Sequence, residues 1–201
     1  MTPLLLLLAA YLLGGVPFGY LLVRLKTGQD VRAMGSGNIG ATNVLRTTGR
    51  AFGVLTLLLD IAKGWLAVWA MGRFTANDPN WMAAAGVAVV FGHAFPIFLK
   101  FQGGKAVASF VGVALGLAPL ALLAVVIIFV LVVAKTRFIS LGSILGAALF
   151  PLAVWLLYHP GWPIMIAVAF CGFFIVWRHK SNIERLRAGT ENVFRFGGSK
   201  Q

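Results

Sequence analysis

The chain has 201 residues, 60% hydrophobic and 11% charged, and its 17 Lys and Arg against 5 Asp and Glu leave a formal charge of +12. Soluble domains carry roughly a quarter charged residues, so a soluble globular domain is excluded and an integral membrane protein is implied. The cations are scattered between apolar stretches, which suits cytoplasmic loops beside anionic lipid, or anionic substrates, and leaves no compact basic domain to bind nucleic acid.

The first apolar run, MTPLLLLLAAYLLGGVPFGYLLVRLK, has the length of about 20 residues that a spanning helix needs. It lacks the basic leader of a signal peptide and is expected to remain as a span. Arg24 and Lys26 follow it, which predicts an N-terminus outside and a segment 24–50 inside. Further runs are Ala51–Arg73, Trp81–Leu99, Ala106–Ala134, Ser143–Tyr158 and Trp162–Trp177. Within Ala51–Arg73, Asp60 and Lys63 are spaced i, i+3 and are expected to neutralise each other on one helix face, in a structural role. Cys171 lies in the last run and has no second cysteine to pair with.

Ala106–Ala134 decides the topology. A single helix there would be about 44 Å long, more than a hydrocarbon core of roughly 30 Å requires, and GLAPL at 116–120 predicts a break. One crossing would set the tail cations Arg178, Lys180, Arg185, Arg187, Arg195 and Lys200 opposite Arg32, Arg46 and Arg50. Two short helices hinged near Pro119 instead put the basic segments 24–50, 100–105, 135–142 and 178–201 on one face. The prediction is a single all-α, membrane-embedded domain over 1–201, with about seven transmembrane helices, N-terminus outside and C-terminus cytoplasmic. Small-residue clusters such as LLGGV and LGSILGAA predict close approach of helix backbones.

Three polar stretches interrupt this pattern. MGSGNIGATNVLRTTGR at 34–50 cannot lie in lipid, and its Gly37 and Gly40 predict a loop with backbone N–H groups facing an anion. Ser36, Asn38, Thr42 and Asn43 add neutral donors, and Arg46 adds a planar fork suited to phosphate oxygens. FQGGKAVAS at 101–109 sets Gly103, Gly104 and Lys105 before an apolar helix, where free N–H groups and the helix dipole favour an anion. The same pattern also suits a plain helix start with an interfacial lysine. GxxxxGK[ST] is absent, so nucleoside triphosphate hydrolysis is not indicated. WRHKSNIERLRAGTENVFRF mixes cations with His179, Asn182, Glu184 and Glu191, although such a segment often serves only as an orientation signal. The expected topology puts all three, with Ser143, on one membrane face.

SGNIGATNVLRT, GGKAVAS and HKSNIERLRAGTE, in that order, resemble the motifs of the bacterial acyl-phosphate:glycerol-3-phosphate acyltransferases of the PlsY type, and the resemblance covers essentially the whole chain. It implies transfer of a fatty acyl group from acyl phosphate to the sn-1 hydroxyl of glycerol 3-phosphate, giving lysophosphatidic acid and phosphate in phospholipid biosynthesis. The implied place is the bacterial inner membrane with the site on its cytoplasmic side. No cofactor, metal or obligate protein partner is implied; the partners are the two substrates and membrane lipid. Carried over, the substrate-binding residues are Ser36, Asn38, Arg46, Gly103, Gly104, Lys105, Ser143, His179, Asn182 and Glu191, with His179, Ser36 and Lys105 catalytic. The attacking hydroxyl must lose a proton, and either His179 or an oxygen of the acyl phosphate takes it; Gly103 and Gly104 N–H groups or the Ser36 side chain would steady the oxyanion. A small-anion transporter is the main alternative, though no inverted repeat is visible. An acyl-CoA acyltransferase is another, because His179 and Glu184 have the spacing of a His-x4-Asp motif with Glu for Asp. The clustered aspartates of CDP-alcohol phosphotransferases are missing.

Overall fold

The computed structural model describes residues 2–194, so Arg195 and Lys200 of the tail lie outside the described residues. Among the described residues all regular structure is helical, as the apolar runs predict, and the chain divides into two compact units, Met1–Leu117 and Ala118–Gln201.

In the first unit the opening run is two helices, α1 (Thr2–Gly15) and α2 (Phe18–Thr27), because Pro17 has no N–H to continue the ladder. They are followed by α3 (Ala41–Thr48), α4 (Arg50–Phe74), α5 (Pro79–Ala94) and α6 (Val107–Leu117). Helix α5 starts two residues ahead of the expected run, where the Asp78 side chain accepts from Asn80 N and Trp81 N and Pro79 opens the first turn. Helix α4 packs on α1, α3, α5 and α6, while α1 lies along α5. Contact between α4 and α6 is backbone to backbone. A Cβ on Gly64 would collide with Ser109 O, and one on Gly112 with Ile61 O. The predicted Asp60–Lys63 pair is buried in this packing with Nζ 2.8 Å from Oδ1, an ionic approach in which Oδ1 makes no well-angled hydrogen bond. Lys63 Nζ also donates to Val16 O at 3.0 Å, at the break between α1 and α2.

The second unit holds α7 (Pro119–Thr136), α8 (Ile139–Tyr158), α9 (Trp162–Arg178) and α10 (Lys180–Arg187), with α8 packed on both α7 and α9. The expected break in GLAPL falls at Ala118, with Pro119 in the first turn of α7. Phe194 N donates to Arg137 O at 2.8 Å, which ties the segment after α10 to the turn between α7 and α8. Among the described residues, five helical stretches are long and apolar enough to cross a membrane: Thr2–Thr27, Arg50–Phe74, Pro79–Leu99, Pro119–Thr136 and Ile139–Tyr158. The pair Trp162–Arg178 and Lys180–Arg187, bent by 54°, brings the number to six when it is counted as one span. The expected count of about seven includes α6, whose 11 residues reach only about 16 Å.

Candidate active site

Only the first part of the 34–50 stretch is the expected loop; from Ala41 to Thr48 it is α3. Helical spacing turns Asn43 and Val44 inward and leaves Thr42 and Arg46 exposed. A small apolar cluster of Val23, Val31, Ile39, Val44 and Leu99, flanked by Tyr20, Met34 and Phe52, pins the loop between α2 and α3. Asn43, expected to offer donors to a ligand, is instead spent inside the protein. Its Oδ1 accepts from Ser36 N at 2.8 Å, and its Nδ2 donates to Met34 O at 3.0 Å, Asn38 O at 2.8 Å and Val31 O at 3.3 Å. Asn38 Oδ1 accepts from Gly40 N at 2.8 Å, and the Ser36 side chain stays exposed.

The cations around this loop divide clearly. Lys26 Nζ donates to Thr48 O at 2.9 Å, where it complements the C-terminal end of α3, and lies over the Phe52 ring. Arg32 pairs with Asp30 at 2.6 Å and lies over Tyr20. The hydrogen bond from Arg32 is the main cause holding the Asp30 carboxyl below its ordinary range, against a smaller effect of burial. Arg46 is exposed and makes no ion pair or hydrogen bond among the described residues, so its guanidinium is available to an anion.

In the second motif the expectation for the glycines needs correcting. Gly103 N donates to Ala94 O at 3.2 Å and Gly104 N to His93 O at 3.1 Å, which withdraws both N–H groups from an oxyanion. The glycines are needed here because the chain runs back against the end of α5: a Cβ on Gly103 would strike His93 O, and one on Gly104 the His93 ring. Lys105 follows, half-buried, just before α6. His93, which no motif in the sequence marks, has its Nδ1 3.2 Å from Ser109 Oγ and 3.6 Å from Asp60 Oδ1. This is not a nucleophile triad, since both partners meet the same ring nitrogen and Ser109 is fully buried.

In the second unit the third motif is organised by one carboxylate. Glu191 Oε1 accepts from Asn182 Nδ2 at 2.8 Å and from Ser140 Oγ at 3.0 Å, and Oε2 accepts from Arg185 Nε at 2.8 Å. Ser143, one turn beyond Ser140 on α8, donates its proton to Ile139 O at 3.0 Å, so donation to a ligand requires the hydroxyl to rotate off the helix backbone. His179 is buried between α9 and α10, and its Nδ1 is 2.7 Å from Ile175 O. A carbonyl only accepts, so Nδ1 carries a proton in this contact. Glu184 is exposed, so His179 and Glu184 do not form the buried pair that the acyl-CoA alternative needs.

A helical chain with repeated apolar spans, two polar motifs between them and a third after the last apolar helix is an integral, multi-pass membrane protein. Residues 4–189 match the family model of glycerol-3-phosphate acyltransferase. Glycerol-3-phosphate acyltransferases of Geotalea daltonii and Geobacter sulfurreducens are 45% and 46% identical, over 96% and 97% of this chain and 98% and 99% of theirs. Crystal structures of PlsY (YgiH), an integral membrane glycerol 3-phosphate acyltransferase, superpose with TM-scores of 0.92 for the glycerol 3-phosphate form and 0.89 for the lysophosphatidic acid form. They are 35% and 33% identical, each over 97% of this chain and 96% of the other. The chain belongs to the glycerol-3-phosphate acyltransferase family and is an acyltransferase of phospholipid synthesis, which decides against the small-anion transporter.

Proposed function

We propose that this enzyme draws its acyl group from an acyl phosphate and delivers it to the sn-1 hydroxyl of glycerol 3-phosphate, at the cytoplasmic side of a bacterial inner membrane. The hydroxyl oxygen attacks the acyl carbonyl carbon, the bond from that carbon to the phosphate oxygen breaks, and lysophosphatidic acid and inorganic phosphate result. The observation that carries this reading is the exposed guanidinium of Arg46, on the helix that Asn43 ties to the Ser36–Asn38 loop. Arg46 and Lys105 bind substrate phosphate, with Ser36, Asn38, Ser143 and Asn182 as neutral partners and Ser36 beside the developing oxyanion. Gly103 and Gly104 serve by letting the chain approach α5 closely, and Glu191 by orienting Asn182.

For the proton, an oxygen of the leaving phosphate is the acceptor. His179 is buried with its ring fixed by Ile175 O, which supports a structural role for it. The topology with N-terminus outside and C-terminus cytoplasmic is part of the same proposal, supported by the positive charge of the loops. Purified enzyme offered acyl phosphate and acyl-CoA separately tests the donor: product is expected from acyl phosphate alone, and equal turnover with acyl-CoA refutes it. Arg46→Ala should lower kcat/KM at least about tenfold, as expected for a lost charged hydrogen bond. Arg46→Lys should restore it only in part, because the fork is gone. If His179→Gln abolishes turnover while binding and folding persist, and removes the acidic limb of the pH–rate profile, His179 is the base.

A further inference from the structure

Charged and polar groups inside a membrane-spanning bundle are costly and need a reason to be there. Asp60 and Lys63 lie on one face of α4 and neutralise each other at 2.8 Å. The polar cluster nevertheless extends beyond them, to His93 on α5 and Ser109 on α6, all of them buried. What the added residues reach is the second motif. The edge of the His93 ring carrying Nε2 lies against Gly104 so closely that the three atoms nearest to a Cβ built there are all in that ring. The main chain of the same residue meets the same glycine, since His93 O accepts from Gly104 N at 3.1 Å. On its other side the ring is set by Ser109 Oγ and Asp60 Oδ1 at Nδ1.

We propose that His93 is a positioning residue for Lys105, acting through Gly104, and that Ser109 and Asp60 hold its ring in register. Consecutive Cα atoms are about 3.8 Å apart, so a shift of Gly104 passes directly to the lysine that follows it. The proposal rests on Lys105 binding substrate phosphate, and misplacing a phosphate-binding cation weakens binding in the ground and transition states alike. It therefore raises KM with little change in kcat. A role confined to helix packing would lower thermal stability and leave KM unchanged.

The test compares wild-type full-length enzyme in bilayer nanodiscs with Lys105→Gln, Ser109→Ala, His93→Asn, Gly104→Ala and the double variant Gly104→Ala/His93→Asn. KM for glycerol 3-phosphate, kcat and thermal midpoint are measured for each. Lys105→Gln is expected to raise KM at least about tenfold; His93→Asn should raise it about fivefold and Ser109→Ala about threefold, these two with kcat within about twofold. Asn retains a polar atom near the Nδ1 position and removes the edge that would meet an alanine at 104. The double variant should therefore have a KM no higher than that of Gly104→Ala alone, well below the product of the two single effects. If Lys105→Gln is impaired while His93→Asn and Ser109→Ala keep a KM within about twofold of wild type, the positioning role is wrong and the phosphate role of Lys105 stands. A wild-type KM for Lys105→Gln overturns the phosphate role, and the positioning role with it. A double variant equal to the product of the singles also overturns the coupling. Should His93→Asn fail to fold, Ser109→Ala decides, and an unchanged KM there refutes the proposal.

Discussion

Replacing Asn43 by alanine removes the side chain that joins four backbone groups, Ser36 N, Val31 O, Met34 O and Asn38 O. Two amide hydrogens and one accepting oxygen amount to three bonds, which at about 1 kcal/mol each give a loss of about 3 kcal/mol. The carbonyl of Val31 should contribute most, because that residue lies in the apolar cluster and water cannot readily replace the lost donor. A change of that size raises the local opening equilibrium on the order of 100-fold. Hydrogen exchange of the amides in 31–44, read by mass spectrometry with α7 as internal reference, measures it directly. Asn43→Asp is the sharper variant: it keeps the shape and the acceptor for Ser36 N, but sets a carboxylate oxygen against carbonyls that now receive a donor. It should open the loop more than Asn43→Ala does, and both should raise KM for glycerol 3-phosphate. Wild-type exchange in Asn43→Asp would show that the amide does not organise this loop.

Asp30 is held below its ordinary range chiefly by the hydrogen bond from Arg32, so its contribution is full above about pH 4 and disappears as the pH falls through the lowered folded value. Asp30→Asn should flatten the acid-side loss of protection in 28–36 and change protection at pH 7 only a few-fold, since both side chains of the pair are about a third exposed. Gly64→Val should cost about 1–3 kcal/mol or more by driving a side chain into α6, seen as a lower thermal midpoint. Gly146→Ala, with no neighbour within 4 Å of the added carbon, should leave the midpoint unchanged or slightly raised. Glu191→Ala should expose α10 amides to exchange by about 1.5–3 kcal/mol, as a charge-assisted bond is lost; Glu191→Gln, which keeps one accepting oxygen, should lose less.

The sequence by itself determined the features that depend on near neighbours along the chain. Apolar runs imply helices, Pro119 breaks the long one, and an i, i+3 spacing pairs Asp60 with Lys63. The three motifs were legible as sites for an anion because glycines and cations cannot be accounted for inside lipid. What each polar atom does was decided only by tertiary structure. Asn43 and the N–H groups of Gly103 and Gly104 are donors on paper, and the folded chain spends them on Val31, Met34, Asn38, Ala94 and His93. His93 sits in an apolar stretch with no local signal. Its partners Asp60 and Ser109 stand 33 and 16 residues away and come within reach only because glycines let α4 and α6 touch. A hydrogen-bonding group is directional and satisfied by whichever partner packing brings to it, so its role follows from helix contacts that no short window of sequence contains.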